Sequence, residues 1–403
     1  MRILRIFLTN DRNCIIITAL SETGTYSLYY SLYPFEKETL IYESSSMLVP
    51  LGIKKGRLIY KEKNQGGSFN VPNCNATGFL DNVKSLDYNT LLYDTYKESI
   101  LSVVEEKGGN VAFVNQEKLN IPDHFIIKDA YFLDQKTLII LCSTTLNSSM
   151  FLFYSITERE LNYSKISNQC VFPLPLFKHQ IIGEKKVPCL THTNREDNTI
   201  LICLHGGPKY HYNHEYLDIL FDFYSNFNNI CLVNFPGSTG YNQKYENELI
   251  GQGGVVDIEA VKSVISYYDS HGFKIKIYGE SYGAYIAICL SQYIHFNITR
   301  IVSVNGFTNL FYMYLFSDSR KLIEQYFSDY KKFSPEISLK AKELIPIRFL
   351  HGDKDATCPI SQVEYFIKKY EKMQLSVLED FSHYEVNFEK EKIRNKKIIR
   401  LLK

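Results

Sequence analysis

The 403-residue chain predicts a two-part molecule, an all-β N-terminal domain over residues 1–175 and a doubly wound α/β domain over residues 176–403. Three observations carry this reading. Up to about residue 180, short runs rich in β-branched and aromatic residues are separated by Asn, Ser, Gly and Asp, without a helical period. From about residue 181, continuous apolar runs alternate with helical stretches, the pattern of a parallel sheet covered on both faces. Six short motifs then fall in one order within that second part.

Examples of the N-terminal strands are Cys14–Thr18, Tyr26–Tyr30, Leu58–Tyr60, Leu138–Cys142 and Met150–Tyr154. An apolar run, a polar turn, an aromatic run and a charged turn recur over Cys14 to Ile41 and again over Leu138 to Ile166, resembling the inner hairpins of a propeller blade. A blade takes roughly 40–50 residues, so the stretch holds about four at most. A small or degenerate propeller and an open antiparallel sheet both fit. The boundary falls near Pro173-Leu174-Pro175.

The α/β part predicts strands at Thr199–Leu204, Ile230–Phe235, Lys274–Gly279, Ile301–Asn305, Ile347–His351 and Leu375–Leu378. Helices are expected over Val255–Tyr268, Tyr282–Tyr293 and Gln362–Tyr370. The six motifs are His205-Gly206-Gly207-Pro208, Gly237-Ser238-Thr239-Gly240-Tyr241, Gly253-Gly254-x-x-Asp257, Gly279-Glu280-Ser281-Tyr282-Gly283, His351-Gly352-Asp353-Lys354-Asp355 and Ser382-His383. The fourth is a G-x-S-x-G turn, which lifts a serine to the tip of a sharp strand-to-helix bend. An acid follows 74 residues later and a histidine 28 after that, room enough for the intervening βα units.

Composition and charge narrow the partners. A formal net charge of +1 gives no support for nucleic acid or an anionic membrane as partner. The N-terminal run Met1–Leu8 is broken at Thr9–Asn13 and lacks the length and cleavage site of a secretory leader. No stretch reaches the ~20 apolar residues of a membrane helix, so a cytoplasmic protein is expected. The nine Cys are scattered without CxxC spacing, which suits reduced thiols better than a disulfide framework. His211 and His214 lie close together without an evident third ligand, and no metal site is expected.

Residues 195–390 resemble the prolyl oligopeptidase family of serine peptidases, on an α/β-hydrolase fold. His205–Pro208 is similar to its HGGP segment, Phe235–Tyr241 to RGSTGYG, Gly279–Gly283 to the GxSYGG elbow, and His351–Pro359 to HGxxDxxVP. Ser382-His383 stands where the late Gly-His carries the base. The chain departs from the pattern at Phe235-Pro236 in place of the Arg, at Ala284 in place of a Gly, and at Cys358-Pro359 in place of Val-Pro. Its N-terminal part is also too short for the family's usual propeller.

The resemblance and triad logic imply Ser281 as nucleophile, His383 as base and Asp355 as acid, with Asp353 the rival for the acid. The oxyanion donors would be the backbone N–H of Tyr282 and, from the loop after Thr199–Leu204, Gly207 or Gly206. Phe307, Leu310 and Met313 would line an apolar pocket with Tyr282, or else pack an ordinary core. The expected activity is a serine hydrolase, a peptidase cleaving short peptide or peptide-like acyl substrates without cofactor. The N-terminal domain would restrict which substrates reach Ser281. An esterase, thioesterase or acyltransferase, including one that cyclises peptides, uses the same triad, and a relic binding scaffold is a further alternative. A homo-oligomer stays open.

Overall fold

The computed structural model describes residues 2–9, 11–21, 25–35, 37–44, 48–54, 57–62, 65–70, 90–106, 108–145, 148–163, 177–194, 197–215, 217–339, 344–370, 372–385 and 387–403. The chain divides into two compact units. One comprises Met1–Pro175 with His214–Leu217, the other Leu176–Asn213 with Asp218–Lys403.

The first unit is built of antiparallel meanders. β1–β4 (Arg2–Leu8, Cys14–Leu20, Tyr26–Leu32, Thr39–Ser44) form one sheet in chain order, and β5–β7 (Leu48–Lys54, Arg57–Glu62, Gln65–Asn70) a second. β8–β11 (Thr90–Tyr96, Ser99–Glu106, Gly109–Val114, Glu117–Lys118) form a third, and β12–β15 (Ile126–Phe132, Thr137–Ser143, Met150–Ser155, Glu160–Tyr163) a fourth. This is a set of separate blade-like sheets rather than one open sheet. Apolar side chains join several of them: Ile16 and Leu28 of the first sheet pack with Leu48 and Leu58 of the second. Leu101 and Val103 of the third pack with Leu138 and Leu152 of the fourth. Ile6 and Ile17 meet Ile139 and Phe151, so the first and fourth sheets also share a core.

Polar ties reinforce that contact. Arg5 grips the buried Asp129 carboxylate through Nε (3.0 and 2.9 Å) and Nη2 (2.8 Å), and Asp129 also accepts from the Ile6 amide at 3.1 Å. Arg12 donates to Asp94 at 3.3 Å and to the carbonyls of Phe132 and Thr95, linking the first, third and fourth sheets. A guanidinium suits this work because its donors fan out in a fixed plane.

The second unit carries one mixed sheet in the order β16-β17-β19-β18-β20-β21-β22-β23. Its strands are β16 (Lys178–Ile182), β17 (Val187–Thr193), β18 (Thr199–Leu204), β19 (Asn229–Val233), β20 (Lys274–Glu280), β21 (Ile298–Val304), β22 (Ile347–Gly352) and β23 (Gln374–Leu378). β16 and β17 pair antiparallel at one edge, and from β19 to β23 the pairing is parallel. The central strands β18, β19 and β20 are mostly buried along their length, as strands covered on both faces must be. The helices are α1 (Asp218–Asn226), α2 (Gln243–Asn247), α3 (Val256–Ser270), α4 (Tyr282–Leu290), α5 (Leu310–Phe316), α6 (Arg320–Tyr326), α7 (Tyr330–Phe333), α8 (Pro335–Ser338), α9 (Ser361–Lys369) and α10 (Phe388–Leu402). Every residue of α4 is buried, so it threads the core directly behind the elbow. Among the described residues no helix is long and apolar enough to cross a membrane.

Two features of this unit escape the sequence reading. The β16–β17 hairpin forms an antiparallel edge ahead of the parallel sheet. Four short helices, α5 to α8, fill the connection between β21 and β22, where no alternating pattern announces them.

Candidate active site

The site grows from the carboxyl ends of adjacent strands, where open α/β sheets place their ligands. β20 ends at Glu280, and the chain turns at once into α4. Ser281 sits at the bend with φ 52° and ψ −115°, a conformation that costs a non-glycine residue free energy and holds its side chain out from the sheet. The two flanking glycines make the bend. A Cβ on Gly279 would lie 2.3 Å from the Gly283 carbonyl oxygen, and one on Gly283 would lie 2.2 Å from that of Leu204. Only hydrogens fit at both places. The Ser281 amide is secured to the Val304 carbonyl of β21 at 2.9 Å.

β22 and β23 supply the partners. Ser281 Oγ donates to His383 Nε2 at 3.0 Å, and His383 Nδ1 donates to Asp355 Oδ2 at 2.7 Å. That pattern defines one imidazole tautomer, with Nδ1 protonated and Nε2 free to accept. Asp355 is buried and its second oxygen accepts from the Cys358 amide at 2.6 Å. Asp353 is differently placed: its Oδ1 accepts from the Phe381 amide at 3.3 Å, at the base of the loop that carries His383. The neighbouring Cys358 thiol is within hydrogen-bond reach of Ser281, and burial pushes its pKa far up, so it stays a neutral thiol.

Asn305 binds these loops together. At the end of β21 it adopts φ 50°, donates through Nδ2 to the His383 carbonyl at 3.4 Å and accepts from the Gly352 amide at 3.1 Å. His351, wholly buried, donates through Nε2 to the Cys358 carbonyl at 2.7 Å and closes the turn that carries Asp355. Burial pushes the His351 pKa down, so the ring is neutral.

On the other side of β20, β18 delivers the glycine loop. A Cβ on Gly206 would lie 3.2 Å from the Cβ of Ser281, so the loop backbone passes directly beside Ser281. Gly207 has φ +117°, which a side chain would resist. The Tyr282 amide is the first of α4, where a helix has no internal acceptor to offer. His205 braces the loop from behind: Nδ1 donates to the Gly206 carbonyl at 2.7 Å and Nε2 pairs with Ser238 Oγ at 2.8 Å. Its ring stacks on Phe235 at 4.3 Å between centroids, and Phe235 stacks in turn on Tyr282 at 6.0 Å. Burial lowers the His205 pKa to about 3, so this is a neutral structural imidazole. Phe235 is therefore a core ring, and the Phe235-Pro236 pair ahead of Gly237 carries no charge.

Of the two readings left open for the apolar trio, burial favours core packing. Phe307, Leu310 and Met313 are 2%, 0% and 1% exposed and belong to the unit's main hydrophobic core. Phe307 stacks on Tyr285 at 4.8 Å, and Met313 Sδ accepts from Gln362 Nε2 at 3.2 Å. All three pack within that core. The helical spacing of the three residues is the same for a pocket wall and for a core stripe, so spacing alone did not separate the two.

Among the described residues no group of three or more His, Cys, Asp or Glu is placed to hold a metal.

Comparison with known proteins shows what the chain is similar to. Residues 226–392 match the model of the prolyl oligopeptidase family. An uncharacterized peptidase of Bacillus subtilis, YuxL, is 27% identical over 189 residues, which is 43% of this chain and 28% of that protein. Acylamino-acid-releasing enzyme 1 of Oryza sativa is 27% identical over 183 residues, 40% of this chain and 24% of that protein. The aligned stretch thus spans only about a quarter of each curated relative's length. Among solved structures, an acylaminoacyl peptidase of Pyrococcus horikoshii superposes with a TM-score of 0.64 at 17% identity, covering 96% of this chain and 68% of the other. A puromycin-hydrolyzing peptidase of Mycobacterium tuberculosis superposes with a TM-score of 0.65 at 13% identity, covering 98% and 70%. At such identities the superpositions establish the fold. That fold is the prolyl oligopeptidase type, an N-terminal β domain followed by an α/β-hydrolase domain.

Proposed function

We propose that the chain is a serine peptidase that cleaves short peptide or peptide-like acyl substrates through an acyl-enzyme on Ser281. The observation that carries this is the unbroken hydrogen-bonded line from Ser281 through His383 to Asp355, beside a glycine loop, in a prolyl oligopeptidase family domain. The family and the peptidase names of its relatives favour amide over ester hydrolysis.

The chemistry follows from the geometry. Ser281 Oγ attacks the substrate carbonyl as His383 Nε2 takes its proton. Asp355 holds the imidazole in the tautomer that can accept, and then stabilises the imidazolium. The oxyanion of the tetrahedral intermediate receives the N–H groups of Tyr282 and of Gly207 or Gly206, each worth about 3 kcal/mol in the transition state. His383 returns the proton to the departing amine. Water repeats the sequence on the ester and frees Ser281.

The test is a mass-spectrometric screen of a peptide library incubated with wild type and with Ser281→Ala. Cleavage by wild type alone supports the proposal. Equal products from both proteins, or none from either, overturn it. Matched amide and ester substrates separate a peptidase from an esterase or acyltransferase.

A further inference from the structure

The Gly253-Gly254-x-x-Asp257 motif has no part in the chemistry above, yet it ends on the residue after the nucleophile. Asp257, in the first turn of α3, is wholly buried. Its Oδ2 accepts from the Tyr282 hydroxyl at 2.8 Å and its Oδ1 from the Ile258 amide at 2.9 Å. The glycines shape the space around that hydrogen bond. A Cβ on Gly253 would lie 3.1 Å from the Tyr282 hydroxyl and 2.8 Å from the Tyr326 carbonyl, and one on Gly254 would lie 2.5 Å from the Tyr285 hydroxyl. The motif is a socket for a phenol.

Tyr282 is therefore held at both ends. Its backbone follows Ser281 at the strained bend, and its ring is packed by Phe235, Phe307 and Phe327 at 6.0–6.2 Å between centroids. Packing of this kind centres a ring but resists sliding along its long axis poorly. The Asp257 hydrogen bond supplies that missing restraint. Bonds to a carboxylate are the stronger sort, and burial sharpens the preference.

We infer that Asp257 is a positioning residue for the oxyanion hole: it anchors the Tyr282 side chain so that the Tyr282 backbone N–H points at the developing oxyanion. The inference rests on the hydrolase reading above, and Asp257 acts only through Tyr282. A burial of this depth raises the carboxyl pKa, opposed by the hydrogen bonds from Tyr282 and the backbone. The socket thus holds its acceptor at a cost in solvation that simple core packing would avoid.

The experiment measures kcat and KM for an activated ester in wild type, Tyr282→Phe, Asp257→Ala, Asp257→Asn and the Tyr282→Phe/Asp257→Ala double variant, with melting curves and fluorophosphonate labelling of each. Losing a whole oxyanion donor costs about 10²–10³ in kcat, so misaiming one should cost about tenfold in Tyr282→Phe and Asp257→Ala, with KM within about twofold. Asp257→Asn, which keeps a carbonyl acceptor, should recover most of that loss. The double variant should be no slower than the slower single, because the pair acts as one unit. If Asp257→Ala does not fold, Tyr282→Phe and Asp257→Asn still decide the matter. Folded variants with a lower melting temperature but wild-type kcat, a rise in KM at unchanged kcat, or losses that multiply in the double variant all overturn the inference. A wild type that neither labels nor turns over overturns the hydrolase reading itself, and the inference with it.

Discussion

Replacing Gly283 by Ala tests how the elbow is held. The added Cβ would lie 2.2 Å from the Leu204 carbonyl oxygen and 2.6 Å from that of His205, against 3.4 Å for ordinary contact. The shortfall is about 1.2 Å, and both obstacles are backbone, which cannot swing aside as a side chain can. Either α4 or β18 must move. Overpacking of this severity costs about 3 kcal/mol. For a unit of this size that lowers the melting temperature by about 6–12 °C. A shift of about 1 Å also lengthens the Ser281–His383 hydrogen bond beyond reach, and misplacement on that scale costs about 10²-fold in rate. Gly272→Ala is the control: it has φ +79° but nothing within 4 Å of the added Cβ, so only the left-handed backbone penalty of about 1 kcal/mol applies. The assay is differential scanning fluorimetry with kcat/KM for an activated ester, read well below the melting temperature. If Gly283→Ala melts with Gly272→Ala and keeps wild-type turnover, the close approach of α4 to β18 does not set the elbow.

The other predictions are briefer. Asp355→Asn should cost about 10⁴-fold in kcat by stranding His383 in the wrong tautomer, while Asp353→Asn, which touches the Phe381 amide, should cost far less; kinetics on both variants check the ranking. The His205 pKa lies near 3, below its value of 6.5 in an unfolded chain, so the folded state rejects a proton that the unfolded state accepts. Stability from this group is complete above pH 6.5 and lost as pH falls toward 3, by about 1.4 kcal/mol per unit, so urea titrations of His205→Gln should show a flatter acid limb than wild type. In the N-terminal unit Arg5→Ala strands the buried Asp129 carboxylate; because Arg5 is itself half exposed, the loss should be about 2 kcal/mol by chemical denaturation, less than the roughly 3–5 kcal/mol of a fully buried pair.

What could be read from the residues, and what could not, follows from the range of the interactions. The strand-to-helix elbow at Ser281 is local: two glycines and a serine within five residues specify it, and apolar runs on either side identify β20 and α4. The blade-like meanders are also local, since each strand pairs with its neighbour in sequence. Contacts between meanders are not. Arg12 and Asp94 are 82 residues apart, and nothing in either segment marks the other. Tyr282 and Asp257 are 25 apart, and the socket exists only once α3 lies against α4. Asn305 was visible as the end of an apolar run, but its bridge between Gly352 and His383 needs three strands side by side. For Phe307, Leu310 and Met313 the pattern itself is ambiguous, because apolar spacing on a helix reports a covered face and not what covers it.

The central claim is that Ser281 is a nucleophile activated by the folded site. Intact-mass and peptide-mapping analysis of the protein treated with a fluorophosphonate tests it most directly. The account predicts one adduct per chain, on Ser281, absent from Ser281→Ala and from heat-unfolded wild type. A folded wild type that takes no adduct, or carries it on another residue, would contradict it.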